Sequence, residues 1–326
     1  MITAEHIFSI SNEREFEIIA LAAFQHQAKH CGIYSGFVKN LGVDPASIDT
    51  ISKIPFLPIE FFKTHDVITK GHYPEITFSS SGTTGSLQSR HLVSDTSLYI
   101  RSYREGFNHF YGDIANYTLT ALLPSYQERE GSSLIFMIDD LIEQTNNLNS
   151  GYFLYDHQVL EQKLKLLHDA GQPTLLIGVT YALLDFAESR TLEFPELIVM
   201  ETGGMKGKRK EMIRTELHEI LCNGFGVPLI HSEYGMTELL SQAYSKGGGI
   251  FHCPPWLKVL VRDTNDPLSL LGNQQTGGLN FIDLANINSC SFIATQDLGR
   301  TFPDGTFEVL GRFDNSDIRG CNLLVQ

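Results

Sequence analysis

The chain lacks an excess of positive charge. Its 326 residues carry 24 Lys and Arg against 38 Asp and Glu, a formal net charge of −14. A surface that neutralises nucleic-acid phosphates needs the opposite sign, so nucleic acid is excluded as an expected partner. Long apolar runs are also missing. None approaches the roughly 18 residues of a membrane-crossing helix. The opening MITAEHIFSISNEREFEI has neither a basic flank nor an apolar stretch, so it does not read as a signal peptide. Paired cysteines are absent too. Cys31, Cys222, Cys253, Cys290 and Cys321 are odd in number, scattered and without a CxxC, a pattern that fits free thiols in a reduced, cytoplasmic protein. His218 and Cys222 at helical spacing, and the adjacent His252 and Cys253, offer two ligands each, short of the three or four that a metal site needs.

What is present is ordinary globular material, 42% hydrophobic and 19% charged, enough for a large core and more than one lobe. Apolar positions at helical spacing follow Asn12, a residue type that caps helices, and predict a helix over NEREFEIIALAAFQHQAKH. Two prolines in SKIPFLPIEFFKT predict an extended, buried connector instead. From residue 117 strands and helices alternate. YTLTALLP, PTLLIGVT, ELIVMETGG and VPLIHSEYG read as strands. SSLIFMIDDLIEQ, QVLEQKLKLLHDA, YALLDFAES and KRKEMIRTELHEILC read as helices. That alternation predicts an α/β core with a parallel sheet covered on both faces. After about residue 250 helices give way to LKVLVRD, GGLNFID, CSFIATQD and GTFEVLG, read as a smaller β-rich lobe. The expected division is therefore 1–250 and 251–326.

One loop carries chemistry. Phe78 to His91, FSSSGTTGSLQSRH, concentrates backbone N–H groups, hydroxyls and two glycines, which together can wrap an anion. The usual phosphate loop ends in Gly-Lys, and no Gly-Lys follows here. By itself the stretch reads equally as a polar hinge or as a phosphate loop.

Further motifs follow in order. ETGG (Glu201 to Gly204) ends one predicted strand and YGMTE (Tyr234 to Glu238) another, while TQDLGR holds Asp297 and GRFDNSDIRG begins at Gly311. This series resembles the adenylate-forming superfamily of acyl-CoA synthetases, luciferases and peptide-synthetase adenylation domains. IPFLPIEFFKTHDV, LPSYQEREGSSLIFM, ETGGMKG, LSQAYS and PPWLKVLVRD are similar to the acyl-protein synthetases of the bacterial luminescence fatty-acid reductase complex. IRGCNLL is also similar to a stretch of phenylacetate-CoA ligases.

The resemblance implies an ATP- and Mg²⁺-dependent ligase that joins a fatty or other carboxylic acid to AMP. By carry-over, Ser79, Ser80, Ser81, Gly82, Thr83, Thr84 and Gly85 cradle the β- and γ-phosphates. Gly203 and Gly204 lie against adenine, and Tyr234 and Gly235 belong to the nucleotide-binding box. Thr237 bonds the α-phosphate, Glu238 holds Mg²⁺, and Asp297 and Arg312 bond the ribose. Cys321, five residues from the end, corresponds to the cysteine that accepts the acyl group before it passes to a reductase or carrier partner. Tyr126 and Arg129 lie in a family-typical stretch near the acyl pocket, and the basic run Lys206 to Lys210 is either a solvated face or a phosphate contact. Arg90 or His91 stands nearest the place of the missing loop lysine.

The family's C-terminal mobile domain, with a lysine of its own, is expected to be absent, as in the similarly short luminescence enzymes. Loss of such a cation could cost about 10²–10³ in rate. Two other readings stay open: an acyl-CoA or aryl-CoA ligase in which Cys321 is incidental, and a non-catalytic nucleotide- or acyl-binding scaffold.

Overall fold

A computed structural model describes residues 2–80, 87–124, 131–204, 209 and 212–313. The chain opens with α1 (Ala4–Phe8), α2 (Glu13–His30), α3 (Gly32–Asn40), β1 (Leu57–Pro58) and α4 (Phe61–Thr64). Next come β2 (Ile76–Ser79), β3 (Arg90–Val93), α5 (Thr96–Tyr111), β4 (Thr118–Leu122), α6 (Ser133–Gln144), β5 (Gly151–Tyr152) and α7 (His157–Asp169). The middle closes with β6 (Thr174–Val179), α8 (Thr180–Ser189), β7 (Ile198–Thr202), α9 (Arg214–Phe225), β8 (His231–Tyr234), β9 (Ala243–Ser245) and β10 (Ile250–Phe251). The last elements are β11 (Leu257–Arg262), β12 (Gly277–Asp283), β13 (Phe292–Thr301) and β14 (Phe307–Arg312).

These elements fall into two compact units, one of Pro74–Pro254 and one of Met1–Tyr73 with Pro255–Gln326. The first is the α/β core. Strands β5, β4, β6, β7 and β8 lie side by side and parallel, and β9 adds an antiparallel edge. Every residue of β4 and β6 is buried, which is why β6 runs apolar from Leu175 to Val179 without alternation: both faces of a parallel strand are covered. Helices α6, α7 and α8 match the sequence reading, and the Ser132 and Asp156 side chains cap α6 and α7 by accepting from the Ile135 and Val159 N–H groups. Helix α9 begins at Arg214, because Ile213 is in extended backbone. Beside the main sheet, β2 and β3 form an antiparallel pair that frames the Ser/Thr/Gly loop.

In the second unit β14, β13, β12 and β11 form an antiparallel sheet. Strand β1 joins it in parallel, pairing Leu57 with Ile293 and Pro58 with Ala294. The N-terminal helices therefore pack with the C-terminal sheet. Phe24, Tyr34 and Phe56 surround Phe292, and Gln27 in the last turn of α2 bonds Asn286 and Ile287 carbonyls and the Ser291 backbone N–H. The Asn12 cap of α2 is present, its side chain accepting from the Glu15 N–H. The proline-bearing connector is extended at β1 and then makes the single turn α4. Pro58 precedes that turn, so it removes no helical hydrogen bond.

Candidate functional site

In the α/β unit, the sequence-singled residues collect at the carboxyl ends of β7 and β8, adjacent parallel strands paired at Thr202 and Glu233. Alternation along a strand sends neighbouring side chains to opposite faces. Glu201 and Ser232 therefore point one way and Thr202 and Glu233 the other.

On the first face Glu201 is a hub. Its Oε1 accepts from Arg214 Nη1 at 2.8 Å and from the Ser232 hydroxyl at 2.9 Å, and its Oε2 accepts from the Thr180 hydroxyl at 2.9 Å. His218 Nε2 stands 3.5 Å from Oε1 without a hydrogen bond to it. Burial pushes the Glu201 carboxyl up, yet the His218 ring, the Arg214 guanidinium and the Ser232 hydroxyl outweigh it and hold the group below its ordinary value.

On the second face Glu233 accepts from the Thr202 hydroxyl at 2.5 Å. Burial pushes its carboxyl up to about 7; the Thr202 bond opposes the rise and the Glu201 charge adds to it. The two carboxylates thus sit in opposite regimes on neighbouring strands, one ionised by its partners and one kept near neutrality by burial. Gln242 is buried here as well, and its Oε1 has no hydrogen-bond partner among the described residues.

The turn after β7 places Gly203 at φ +66°, a left-handed conformation that glycine adopts without steric cost. The Thr180 hydroxyl stands 2.8 Å from the Gly203 carbonyl. A Cβ at Gly204 would meet none of the described residues within 4 Å, whereas one at Gly235 would come 2.5 Å from Glu233 Oε1. Gly235 is thus close-packed against Glu233, and Gly204 has no described residue at that distance. Beyond β8, Glu238 is buried, and the Thr237 carbonyl lies 2.8 Å from His91 Nδ1, which donates to it in the matching tautomer. His91 is fully buried on β3, so it supports the YGMTE backbone from the strand that leaves the Ser/Thr/Gly loop. At the loop's own base, the Ser80 N–H donates to the Ser89 carbonyl at 3.0 Å and the Ser89 N–H to Ser80 Oγ at 2.9 Å. The Ser79 N–H donates to the Gly131 carbonyl at 2.8 Å.

In the β-rich unit, Asp297 on β13 is buried and opposite Arg312 on β14. Arg312 Nε donates to Asp297 Oδ1 at 2.9 Å. Arg262, which belongs to none of the motifs, is buried on β11. Its guanidinium donates to the Leu279 and Thr295 carbonyls and to Asn280 Oδ1. Burial pulls its pKa down, and the Glu60 and Asp297 carboxylates oppose the shift.

Ser81, Gly82, Thr83, Thr84, Gly85, Tyr126, Arg129 and Cys321 lie outside the described residues. Among the described residues no group of three or more His, Cys, Asp or Glu could hold a metal by itself, and no helix is long and apolar enough to cross a membrane.

No protein-family model and no curated protein matches the chain. Solved structures do. An ATP-bound MatB from Rhodopseudomonas palustris is 18% identical, with a TM-score of 0.53, over 72% of this chain and 47% of that one. An open conformation of 2-hydroxyisobutyryl-CoA ligase, in complex with 2-HIB-AMP and CoA, is 10% identical with a TM-score of 0.64 over 93% of this chain and 70% of that one. The same ligase in the postadenylation state with R3-HIB-AMP is 9% identical with a TM-score of 0.66, covering 95% and 70%. The chain spans about half the length of the MatB structure it matches. What it shares with these adenylate-forming ligases is their fold.

Proposed function

We propose that the chain is an ATP-dependent acyl-protein synthetase. It would activate a fatty carboxylate as an acyl-adenylate, move the acyl group to Cys321, and pass it to a reductase or carrier partner. The observation that carries this reading is the placement of the ETGG and YGMTE motifs on adjacent parallel strands, both at the carboxyl ends where open α/β sheets bind ligands. The shared fold supports it.

In the first step a carboxylate oxygen attacks the α-phosphorus of ATP. The bond to the β-phosphate oxygen breaks and pyrophosphate leaves. Ser79 to Gly85 would hold the leaving phosphates, Ser79 and Ser80 through their hydroxyls because their N–H groups already donate to the Gly131 and Ser89 carbonyls, and Thr237 would bond the α-phosphate. Glu238 offers a hard carboxylate oxygen, the donor type that suits Mg²⁺ shared with substrate phosphates. When bound, the ion neutralises phosphate charge. Gly203 and Gly204 would present backbone to adenine, and no described residue stands within 4 Å of a Cβ built at Gly204. Tyr234 and Gly235 would carry the box that presents Thr237. Asp297 would accept from the ribose hydroxyls, with Arg312 donating. In the second step the Cys321 thiol gives up its proton, its sulfur attacks the acyl carbonyl and AMP leaves, which yields a thioester that a partner can take up.

The likeness to a CoA ligase over most of the chain favours a second reading, in which CoA is the acceptor. One experiment separates the two. The protein is incubated with ATP, Mg²⁺ and labelled fatty acids, with and without CoA. Hydroxylamine-sensitive label on the protein that disappears in Cys321→Ser supports the synthetase. Label that survives the substitution removes Cys321 as acceptor, and label transferred to CoA establishes the ligase. No label and no pyrophosphate release leaves a non-catalytic binding scaffold.

A further inference from the structure

Arg214 and Thr180 belong to none of the motifs, yet they grip both strand ends that carry them. Thr180 opens α8 directly after β6 and is buried. Its hydroxyl lies 2.9 Å from Glu201 Oε2 and 2.8 Å from the Gly203 carbonyl. It has one proton for two acceptors, so it bridges the β7 side chain and the backbone of the turn that follows. Arg214 opens α9 and reaches Glu201 from the other side. The same guanidinium stands 5.4 Å from the centre of the Phe251 ring, and Phe251 packs edge-on against Tyr234 at 5.9 Å. The GGGI stretch fits this arrangement. A Cβ at Gly249 would come within 2.3 Å of Arg214 Cδ, and Gly249 has φ +70°. Glycine there lets the backbone lie over the arginine side chain. Glu201 is therefore bonded to β6–α8, to β8 through Ser232 and to α9.

We infer that Thr180, Glu201 and Arg214 are positioning residues that fix the Gly203–Gly204 turn and the Tyr234 box for an adenine nucleotide. The inference rests on the proposed adenylating function. A buried pair kept only for stability would have no reason to be tied to a turn carbonyl through a shared hydroxyl. It would not bridge toward Tyr234 either. Here the contacts converge on the two segments proposed to meet the nucleotide.

Thr180→Val removes the hydroxyl at nearly constant volume, and Thr180→Ser keeps it. Arg214→Met and Arg214→Lys make the parallel comparison for charge. Pyrophosphate release is followed against ATP and against carboxylate, alongside thermal melting and titration with a fluorescent ATP analogue. Loss of one hydrogen bond that acts through the turn is expected to raise the KM for ATP about tenfold. The KM for carboxylate stays level and kcat falls less than twofold. Thr180→Ser is expected to restore the ATP value, and Arg214→Lys to restore it in part. An unchanged KM for ATP in folded Thr180→Val and Arg214→Met overturns the inference and leaves the network structural, as does unfolding of both variants. A wild-type protein that binds no ATP analogue overturns the adenylating reading itself, and the inference with it.

Discussion

Asp297 and Arg312 face each other across β13 and β14 and are bonded Oδ1 to Nε at 2.9 Å. The two groups proposed for the ribose are thus bonded to one another across the two strands. Asp297 is buried, while the Arg312 side chain is 71% exposed. An ion pair with one partner in water is worth about 0–1 kcal/mol. Arg312→Ala should therefore change the unfolding free energy by less than about 1 kcal/mol, yet weaken ATP-analogue binding about tenfold through the lost charge-assisted bond. Chemical denaturation and a binding titration on the same variant check both halves. A large stability loss with unchanged binding would make the pair structural.

Glu233 should give the protein a specific pH dependence. Its carboxyl is pushed up from 4.5 to about 7 in the folded state. Below about pH 4.5 the group is protonated in folded and unfolded chains alike, and its contribution to stability is fully present. As pH rises toward 7 the unfolded chain ionises first, so that contribution is lost across this window, amounting to about 3 kcal/mol. Glu233→Gln keeps an acceptor for Thr202 and cannot ionise. Its stability relative to the wild type should be nearly level below pH 4, increase from there toward pH 7 and plateau at pH 8, as read by urea unfolding at each pH. A pH-independent difference would remove Glu233 as the titrating group.

Gly203 and Gly204 should respond differently to the same methyl group. Gly203 sits at φ +66°, where a Cβ costs about 1–2 kcal/mol. Gly204 has no such strain, and its added Cβ would meet none of the described residues within 4 Å. Gly203→Ala is expected to lower the melting temperature. Gly204→Ala is expected to melt like the wild type and to lose ATP-analogue affinity, because the methyl occupies the side proposed for adenine. Retained affinity in Gly204→Ala would mean that the adenine lies elsewhere.

The α/β core was legible because its signals are local. PTLLIGVT is an unbroken apolar run that becomes a fully buried strand, and Asn12 caps α2 as its residue type predicts. Glycine turns that end strands are equally local, and ETGG and YGMTE could be placed from them. Tertiary pairings were not legible. Leu57 and Pro58 join a strand more than 230 residues away in sequence, and nothing in a two-residue apolar stretch names its partner. Arg214 and Arg262 escaped notice for a related reason. A lone arginine reads as a solvated surface charge until folding shows that its donors are spent on a buried carboxylate or on strand carbonyls.

His91 illustrates the same limit and supplies a further test. Sequence position alone made it, with Arg90, the nearest stand-in for a phosphate-loop lysine. The fold instead buries it completely and aims Nδ1 at the Thr237 carbonyl, 2.8 Å away. A buried carbonyl that loses its donor costs about 1–3 kcal/mol. His91→Leu fills similar volume without a donor, whereas His91→Asn retains an N–H in nearly the same place. Denaturant unfolding should show the leucine variant less stable than the asparagine variant by about 1–2 kcal/mol, and pyrophosphate release should fall in the same order as the Thr237 backbone loses its hold. Equal behaviour of the two variants would assign His91 to packing alone.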